Sequence, residues 1–308
     1  MKDRQSVSKI KNFLRQAWSA ETCYPKQASD WSTDNPSLGQ CAVSALVVQD
    51  QLGGELAKCY VGENSHYFNV IDGQIIDTTA EQFWPEEVDY ADFVIKKRQD
   101  LLADESTRVR YEKLRQRFDQ SLEGMKQIER DIAQVDFGDM GEACLDEIMV
   151  WFGEDNGLIV VGEAPARNGW IKSGVAWYSP EGKLLPSGVV MEKLLKTLDK
   201  DLLSVTFLEA IKCFPSDRRH LKRLAELYRP TLIEQLRALQ PKIVLTMGDI
   251  PTRALVDEPY AKLSDVVGRQ FEIDDLMVIP IFHPSPISPK SYKGNLPVFE
   301  SIKKILDD

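Results

Sequence analysis

The stretch GLIVVGEAPARNG, from Gly157 to Gly169, decides how this chain is read. Leu158 to Val161 is an apolar, largely β-branched run that stops abruptly at Gly162-Glu163-Ala164-Pro165. A run of that kind predicts a buried strand that delivers a polar loop to the edge of a sheet. Ligands of open α/β sheets bind at such strand ends. A second junction of the same type follows in VIPIFHPSP, Val278 to Pro286. Two such junctions on one sheet make a cleft. Around them, strands are expected at 158–161, 205–210, 243–246 and 278–282, and helices at 188–198, 218–239, 249–255 and 296–306. That alternation predicts a parallel sheet flanked by helices.

The chain of 308 residues is long enough for two domains. With 43% hydrophobic and 28% charged residues it has the profile of a globular protein. It holds no membrane-length apolar run, and its start, MKDRQSVSKIKNFL, is basic with no long apolar core behind it. A cytoplasmic protein without a membrane partner is expected. Five scattered cysteines with no CxxC pair argue against both disulfides and a zinc site, so no metal is expected. The net charge of −10 argues weakly against a polyanionic partner, but the charge is uneven. Residues 161–308 carry 21 Lys+Arg against 19 Asp+Glu, whereas residues 121–160 carry 2 against 10. The acid sits in a connecting segment, read as a solvated helix face, and the local field is what a polyanion meets.

Before that segment, residues 1–20 read as an amphipathic helix, and 42–52 as a helix stopped by Gly53-Gly54. Residues 55–61 and 66–71 read as strands, and Asp72-Gly73 as a two-residue hairpin turn with a returning strand at 74–77. Pairing partners then sum to 145, so Asp77 faces Phe68 and lies diagonal to His66 on one sheet face. Cys41 opens a helix, where the positive end of the dipole favours a thiolate. One Cys, one His and one Asp thus have a route to a common site, the logic of a nucleophilic triad. A buried Cys at a helix start and a His on a strand face explain the same residues without chemistry. Residues 95–150 read as two charged helices, RQDLLADESTRVRYEKLRQRF and QSLEGMKQIERDIAQV, followed by an opening helix for the second domain in DFGDMGEACLDEIMVWFGEDNG.

WSTDNPSLGQCAVSALVVQDQLGGE, SHYFNVIDGQIIDTTAEQF and STRVRYEKL, within residues 15–118, resemble the YunG family. The resemblance implies a small α+β domain with a papain- and transglutaminase-like thiol fold, here assigned to residues 1–120. It makes Gln40 the oxyanion-side residue, Cys41 the nucleophile, His66 the base and Asp77 its orienter. It names no substrate.

Four stretches of residues 140–308 resemble, in order, motifs of the uracil-DNA glycosylase superfamily, iron–sulfur family-four type. They are VVGEAPARNG with SGVAWYSPEGKLLPSG, TFLEAIKCFPSDRR, LYRPTLIEQLRALQPKIVLTMGDIPTRAL, and FHPSPIS. The resemblance implies an α/β/α sandwich with a central parallel sheet over 121–308. It also implies hydrolysis of the bond between a base and its sugar, with single- or double-stranded DNA as partner. Such an enzyme holds an extruded base in a pocket. By the resemblance Gly162, Ala164 and Pro165 line that pocket, Trp177 stacks on the base, and Glu209 stands at the base-reading position. Glu163, with Asn168 second, places water, and His283 stabilises the departing base. Pro284, Ser285 and Pro286 form a wedge into the minor groove. Lys212, Arg218, Arg219 and Lys290 are the candidate phosphate contacts, with ordinary surface charge as the alternative.

Two departures matter. Glu209 replaces the Asn that reads uracil in the family; an ionised Glu only accepts hydrogen bonds, and would suit an exocyclic amine better than a carbonyl. The cluster ligands are also incomplete: Cys213 matches one, Tyr228 stands where the next belongs, and a cluster needs four thiolates. No cofactor is expected. The leading reading is a glycosylase for uracil or a cytosine-like base, fused to a thiol-fold domain of unknown substrate. The alternatives are a cysteine-nucleophile hydrolase or transferase whose second half only binds nucleic acid, and a regulatory protein with two inactive enzyme folds.

Overall fold

Asp72 and Gly73 both take positive φ, 50° and 76°, the conformation that a tight two-residue hairpin demands. In this computed structural model, which describes residues 2–144, 150–167 and 169–307, that turn fixes the register of the first sheet. Ile71 pairs with Gln74 and Asn69 with Ile76. By its contacts the chain divides into two units, Lys9–Glu123, and Met1–Ser8 with Gly124–Asp308.

The first unit takes up α1 (Lys2–Ala17), α2 (Cys41–Leu52), β1 (Glu55–Val61), β2 (Asn64–Ile71), β3 (Gln74–Ile76), β4 (Val94–Lys96), α3 (Arg98–Leu102) and α4 (Glu105–Ala133), with α1 and α4 each running past the division. Its antiparallel sheet has the order β3-β2-β1-β4. Val43 to Val48 of α2 are all buried, more than a full turn, so this part of the helix sits in the core. The Asn69 amide donates to the Ala45 carbonyl at 3.0 Å, which fixes β2 against α2.

The second unit adds β5 (Gly141–Ala143), β6 (Val150–Trp151), β7 (Asp155–Gly162), α5 (Trp170–Ser173), α6 (Pro186–Leu195), β8 (Val205–Glu209), β9 (Cys213–Pro215), α7 (Leu221–Leu239), β10 (Ile243–Met247), α8 (Asp249–Leu255), β11 (Phe271–Ile273), β12 (Leu276–Ile281) and α9 (Leu296–Asp307). Its main sheet has the order β11-β12-β10-β7-β8-β6. The four inner strands are parallel, and the two edge strands run antiparallel. Leu158 to Val161, at 0–1% exposure, lie on an inner strand, which is why they read as a continuous apolar run. β7 ends at Gly162, and polar loops follow it and β12.

Three expectations need correction. The two charged helices after residue 95 are the short α3 and one continuous 29-residue α4, because Gly124 does not end it; an isolated glycine costs a helix only about 1 kcal/mol. Residues 95 and 96, expected to belong to the charged helical stretch, lie instead in an edge strand, β4. The opening helix expected after Asp136 is absent over its described part, where Ala143 pairs with Cys213 in a two-stranded ribbon. A Cβ at Gly141 would stand 2.7 Å from the Cys213 sulfur, so glycine permits that close pairing. Residues 145–149 of that segment lie outside the described residues.

Candidate active sites

In the second unit, the ends of β7, β8 and β12 carry the site. Gly162 pairs with Glu209 across β7 and β8. Continuing this register, the Ala210 and Ile211 N–H groups donate to the Gly162 and Glu163 carbonyls at 2.9 and 3.1 Å. A Cβ at Gly162 would stand 2.2 Å from Glu209 Oε2 and 2.9 Å from Phe207 Cζ. Glycine is therefore required for the carboxyl and the ring to close over the strand end. Pro165 is buried and Ala164 is partly exposed.

Glu209 is 6% exposed, and its Oε2 has no hydrogen-bond partner. Burial raises its pKa to about 8, and nearby Glu163 adds to this, while Lys212 opposes it. Lys212 is itself buried, which lowers its pKa to about 7 against the pull of Glu209. This corrects two expectations. Lys212 has 4% exposure, so its ammonium does not face a phosphate backbone. Glu209 favours its neutral form, and a carboxylic acid both donates and accepts.

Glu163 pairs with Arg218 at 3.1 Å. His283 is exposed; partial desolvation lowers its pKa more than the Glu163 carboxylate raises it, and Arg218 lowers it further. The imidazole, Glu163 and Arg218 are thus electrostatic neighbours. Arg219 is occupied with Asp217 at 2.9 Å, and Lys290 lies over the Phe282 ring at 5.2 Å. Asn168 lies outside the described residues.

Trp177 has 6% exposure and belongs to the hydrophobic core, packed on Phe207 at 4.7 Å between ring centroids. Its φ of 70° is rare for a bulky side chain. Phe207 is an aromatic the sequence reading missed, because one Phe in an apolar strand carries no signal. The wedge expectation also changes. Pro284 is buried and Ser285 partly so, whereas Ile287, also missed, is 93% exposed. The loop that carries it is clamped by buried Asn295. Its amide accepts from Phe282 N–H and donates to the Phe282 and Ser291 carbonyls at 2.8–2.9 Å.

The iron–sulfur position does not fit a cluster. Cys213 and the Tyr228 phenol are hydrogen-bonded neighbours, and burial pushes the Cys144 thiol nearby up to about 12. Two neutral thiols and a phenol do not supply four thiolates. Among the described residues no group of three or more His, Cys, Asp or Glu is arranged as a metal site.

In the first unit, Cys41 is the first residue of α2 and partly exposed. His66, on β2, is fully buried, and its Nε2 lies 2.5 Å from Asp77 Oδ2. Asp77 also accepts from Tyr90 O–H at 2.8 Å and from Thr79 N–H at 2.8 Å. These bonds, with His66, hold its pKa below the usual range although burial alone would raise it. Burial opposes charge on His66, yet Asp77 first and Cys41 second raise its pKa to about 9. Its Nδ1 is buried, and besides Asp77 the hydrogen-bonding neighbour of the ring is the Cys41 thiol. Gln40 is buried, and its amide donates to the Ser19 carbonyl at 3.0 Å. Gln82 links both sides: its side chain accepts from Gly39 N–H at 3.2 Å and donates to the Thr79 carbonyl at 2.9 Å. Neither Gln82 nor Tyr90 was singled out from sequence, since the bonds to Gly39 and Asp77 join residues 43 and 13 positions apart.

Comparison with known families agrees with this two-part organisation. The Uracil DNA glycosylase superfamily matches residues 151–307, half of the chain, and the chain belongs to that superfamily. The YunG protein family matches residues 6–123. A Bacillus subtilis (strain 168) protein described as "Uncharacterized protein YunG" is 43% identical over 74 residues, 24% of this chain and 60% of that relative. The match thus covers 60% of that relative's length, less than two thirds. No helix among the described residues is long and apolar enough to cross a membrane.

Proposed function

We propose that the second unit is a DNA glycosylase that hydrolyses the N-glycosidic bond of a deaminated or modified pyrimidine. The observation that carries the reading is the electrostatic proximity of Glu163, from the end of β7, to His283, from the end of β12, on the same sheet edge as the paired Gly162 and Glu209. The extruded base stands over Gly162, with Phe207 and Trp177 as the aromatic wall. Glu163 orients a water molecule, whose oxygen bonds to the sugar C1′ as the bond to the base breaks. The bonding electrons leave with the base, and a neutral His283 donates a hydrogen bond to that anion, the kind of positioned donor that stabilises charge in a transition state. The attacking water gives up a proton through Glu163 and the released anion takes one up, so the products are the free base and an abasic sugar.

Neutral Glu209 reads the base edge. It can accept from N3–H and donate to O4 of a uracil-like base, or accept from N4–H and donate to N3 of a cytosine-like one. Ile287 is the exposed apolar side chain fit to fill the gap left in a duplex. Arg218, Arg219 and Lys290 remain the phosphate contacts.

The test is a set of oligonucleotides carrying uracil, hypoxanthine, xanthine or modified cytosines, scored for strand breaks after alkali. Breaks at a pyrimidine lesion are expected. The reading is abandoned if no lesion yields an abasic site in either single- or double-stranded form.

A further inference from the structure

We propose that the outer edge of β4 is an interface for a second copy of this chain, the two antiparallel sheets joining strand to strand about a two-fold axis at Val94. The inference uses no residue of either candidate active site and stands apart from the glycosylase reading.

β4 ends the sheet of the first unit, with β1 on one side and no strand among the described residues on the other. An edge strand presents unpaired N–H and C=O groups that template pairing with another chain. Apolar side chains scattered singly over a surface need no explanation, but a contiguous row does. Phe93, Val94 and Ile95 form such a row, at 36%, 54% and 47% exposure. The row is anchored from within. Ala57 faces Ile95 on one side and Phe68 on the other, and the Phe93 ring meets the Phe68 ring edge-on at 5.6 Å. Phe93 and Ile95 thus carry the apolar cluster of Ala57, Cys59 and Phe68 outward to the open edge.

What fits this edge is written in its own sequence, Asp92-Phe93-Val94-Ile95-Lys96. Directly opposite residues of an antiparallel pair share one face of the sheet and one hydrogen-bonding direction. Two identical strands related by a two-fold axis are therefore centred on a residue. Centred on Val94, Phe93 of each copy stands opposite Ile95 of the other, and Asp92, at the bend that leads into the strand, stands opposite Lys96. That register makes two aromatic–aliphatic pairs on one face and two opposite-charge pairs on the other, the pairs that stabilise a sheet. Among the described residues neither Asp92 nor Lys96 has an ion-pair partner within one copy, so both are open to the second.

Competing arrangements lack this match. Centring on Ile95 instead sets Phe93 against Lys97 and Asp92 against Arg98, which is already engaged by Asp50 at 2.9 Å. The opposite edge of the sheet, β3 with its flanks from Asp72 to Asp77, carries two acids and no base. Self-pairing there brings no opposite charges together. A lysine on an edge strand usually repels a further strand; opposite Asp92, Lys96 becomes part of the fit. Each copy gives and receives the same pairs, so the contact is isologous and closes at two chains.

The test follows the full chain by sedimentation equilibrium across the micromolar range, since a short edge gives a modest interface. A reversible dimer is expected. Asp92→Lys sets lysine against lysine and should weaken it about 10-fold, and Lys96→Asp, which sets acid against acid, should do the same. An equimolar mixture of the two variants should recover the dimer as a one-to-one heterodimer, because each supplies the charge that the other lacks. A chain that stays monomeric throughout, a dimer indifferent to both reversals, or a mixture that associates no better than its components overturns the proposal. If either reversal fails to fold, Val94→Cys decides. Mild oxidation should then join two copies at position 94, as mapped by mass spectrometry, and the absence of that cross-link overturns the proposal equally.

Discussion

The two histidines on motif positions, His66 and His283, are prepared in opposite ways. His66 is fully buried, bonded to Asp77 and raised to about 9, so it holds a proton at neutral pH. His283 is exposed, and partial desolvation lowers it, so it is neutral there. The difference follows from what each faces. Asp77 has Thr79 and Tyr90 to satisfy its remaining lone pairs, which lets it stay charged in the interior and stabilise an imidazolium. Glu163 is instead engaged by Arg218, so its pull on His283 is offset. One residue type is thus held in two protonation states through its neighbours alone.

The comparison is broken most directly at His283. His283→Ala should lower base excision about 100- to 1,000-fold, the usual cost of losing a positioned donor, as measured by abasic-site formation on a lesion-bearing oligonucleotide. Excision at the unmodified rate removes His283 from the mechanism. The next effect is on stability and belongs to His66. Because its folded pKa is raised from 6.5 to about 9, its contribution is complete below 6.5 and is lost as pH rises through about 9. Asp77 is shifted down, so its contribution is present above the ordinary carboxylate value and is lost as pH falls through its depressed one. The pair stabilises the first unit most between those limits, by about 3 kcal/mol for a shift of that size. Asp77→Asn should flatten the alkaline decline in thermal stability monitored for residues 9–123 by hydrogen exchange. An unchanged decline assigns it to other groups.

How much of this was legible in the chain depended on whether the deciding contact was local. Leu158 to Val161 read as a buried strand because burial on both faces makes every residue apolar. Asp72-Gly73 set a register that the structure keeps, since turn and pairing are neighbours in sequence. The short edge strand β4 was not legible: its Val94 and Ile95 are exposed, so no alternation marks it. Lys212 and Pro284 looked like surface residues, and their burial depends on neighbours distant in the chain. Ile287 had a local signal, an aliphatic side chain among Pro, Ser and Lys, that charge-based reasoning passed over. Glu209 was legible as a departure from a motif, but its protonation was not, because that follows from burial beside Gly162.

Glu209 also carries the smallest and sharpest test. The groups that act on it are Lys212 along the same connection and Glu163 at the end of β7, and Cys144 senses its charge in turn. Below about 8 it is neutral, and it offers one donor and one acceptor to a base. As pH rises through that value it ionises and loses the donor, so excision of uracil should decline several-fold on the alkaline side. Glutamine keeps a donor and an acceptor at every pH. Glu209→Gln should therefore retain uracil excision at pH 7 and flatten the alkaline limb, while Lys212, no longer held up by a Glu209 carboxylate, loses its proton at lower pH in the variant. A limb of the same shape in wild type and variant would mean that another group titrates, and that the base is read by something other than the Glu209 carboxyl.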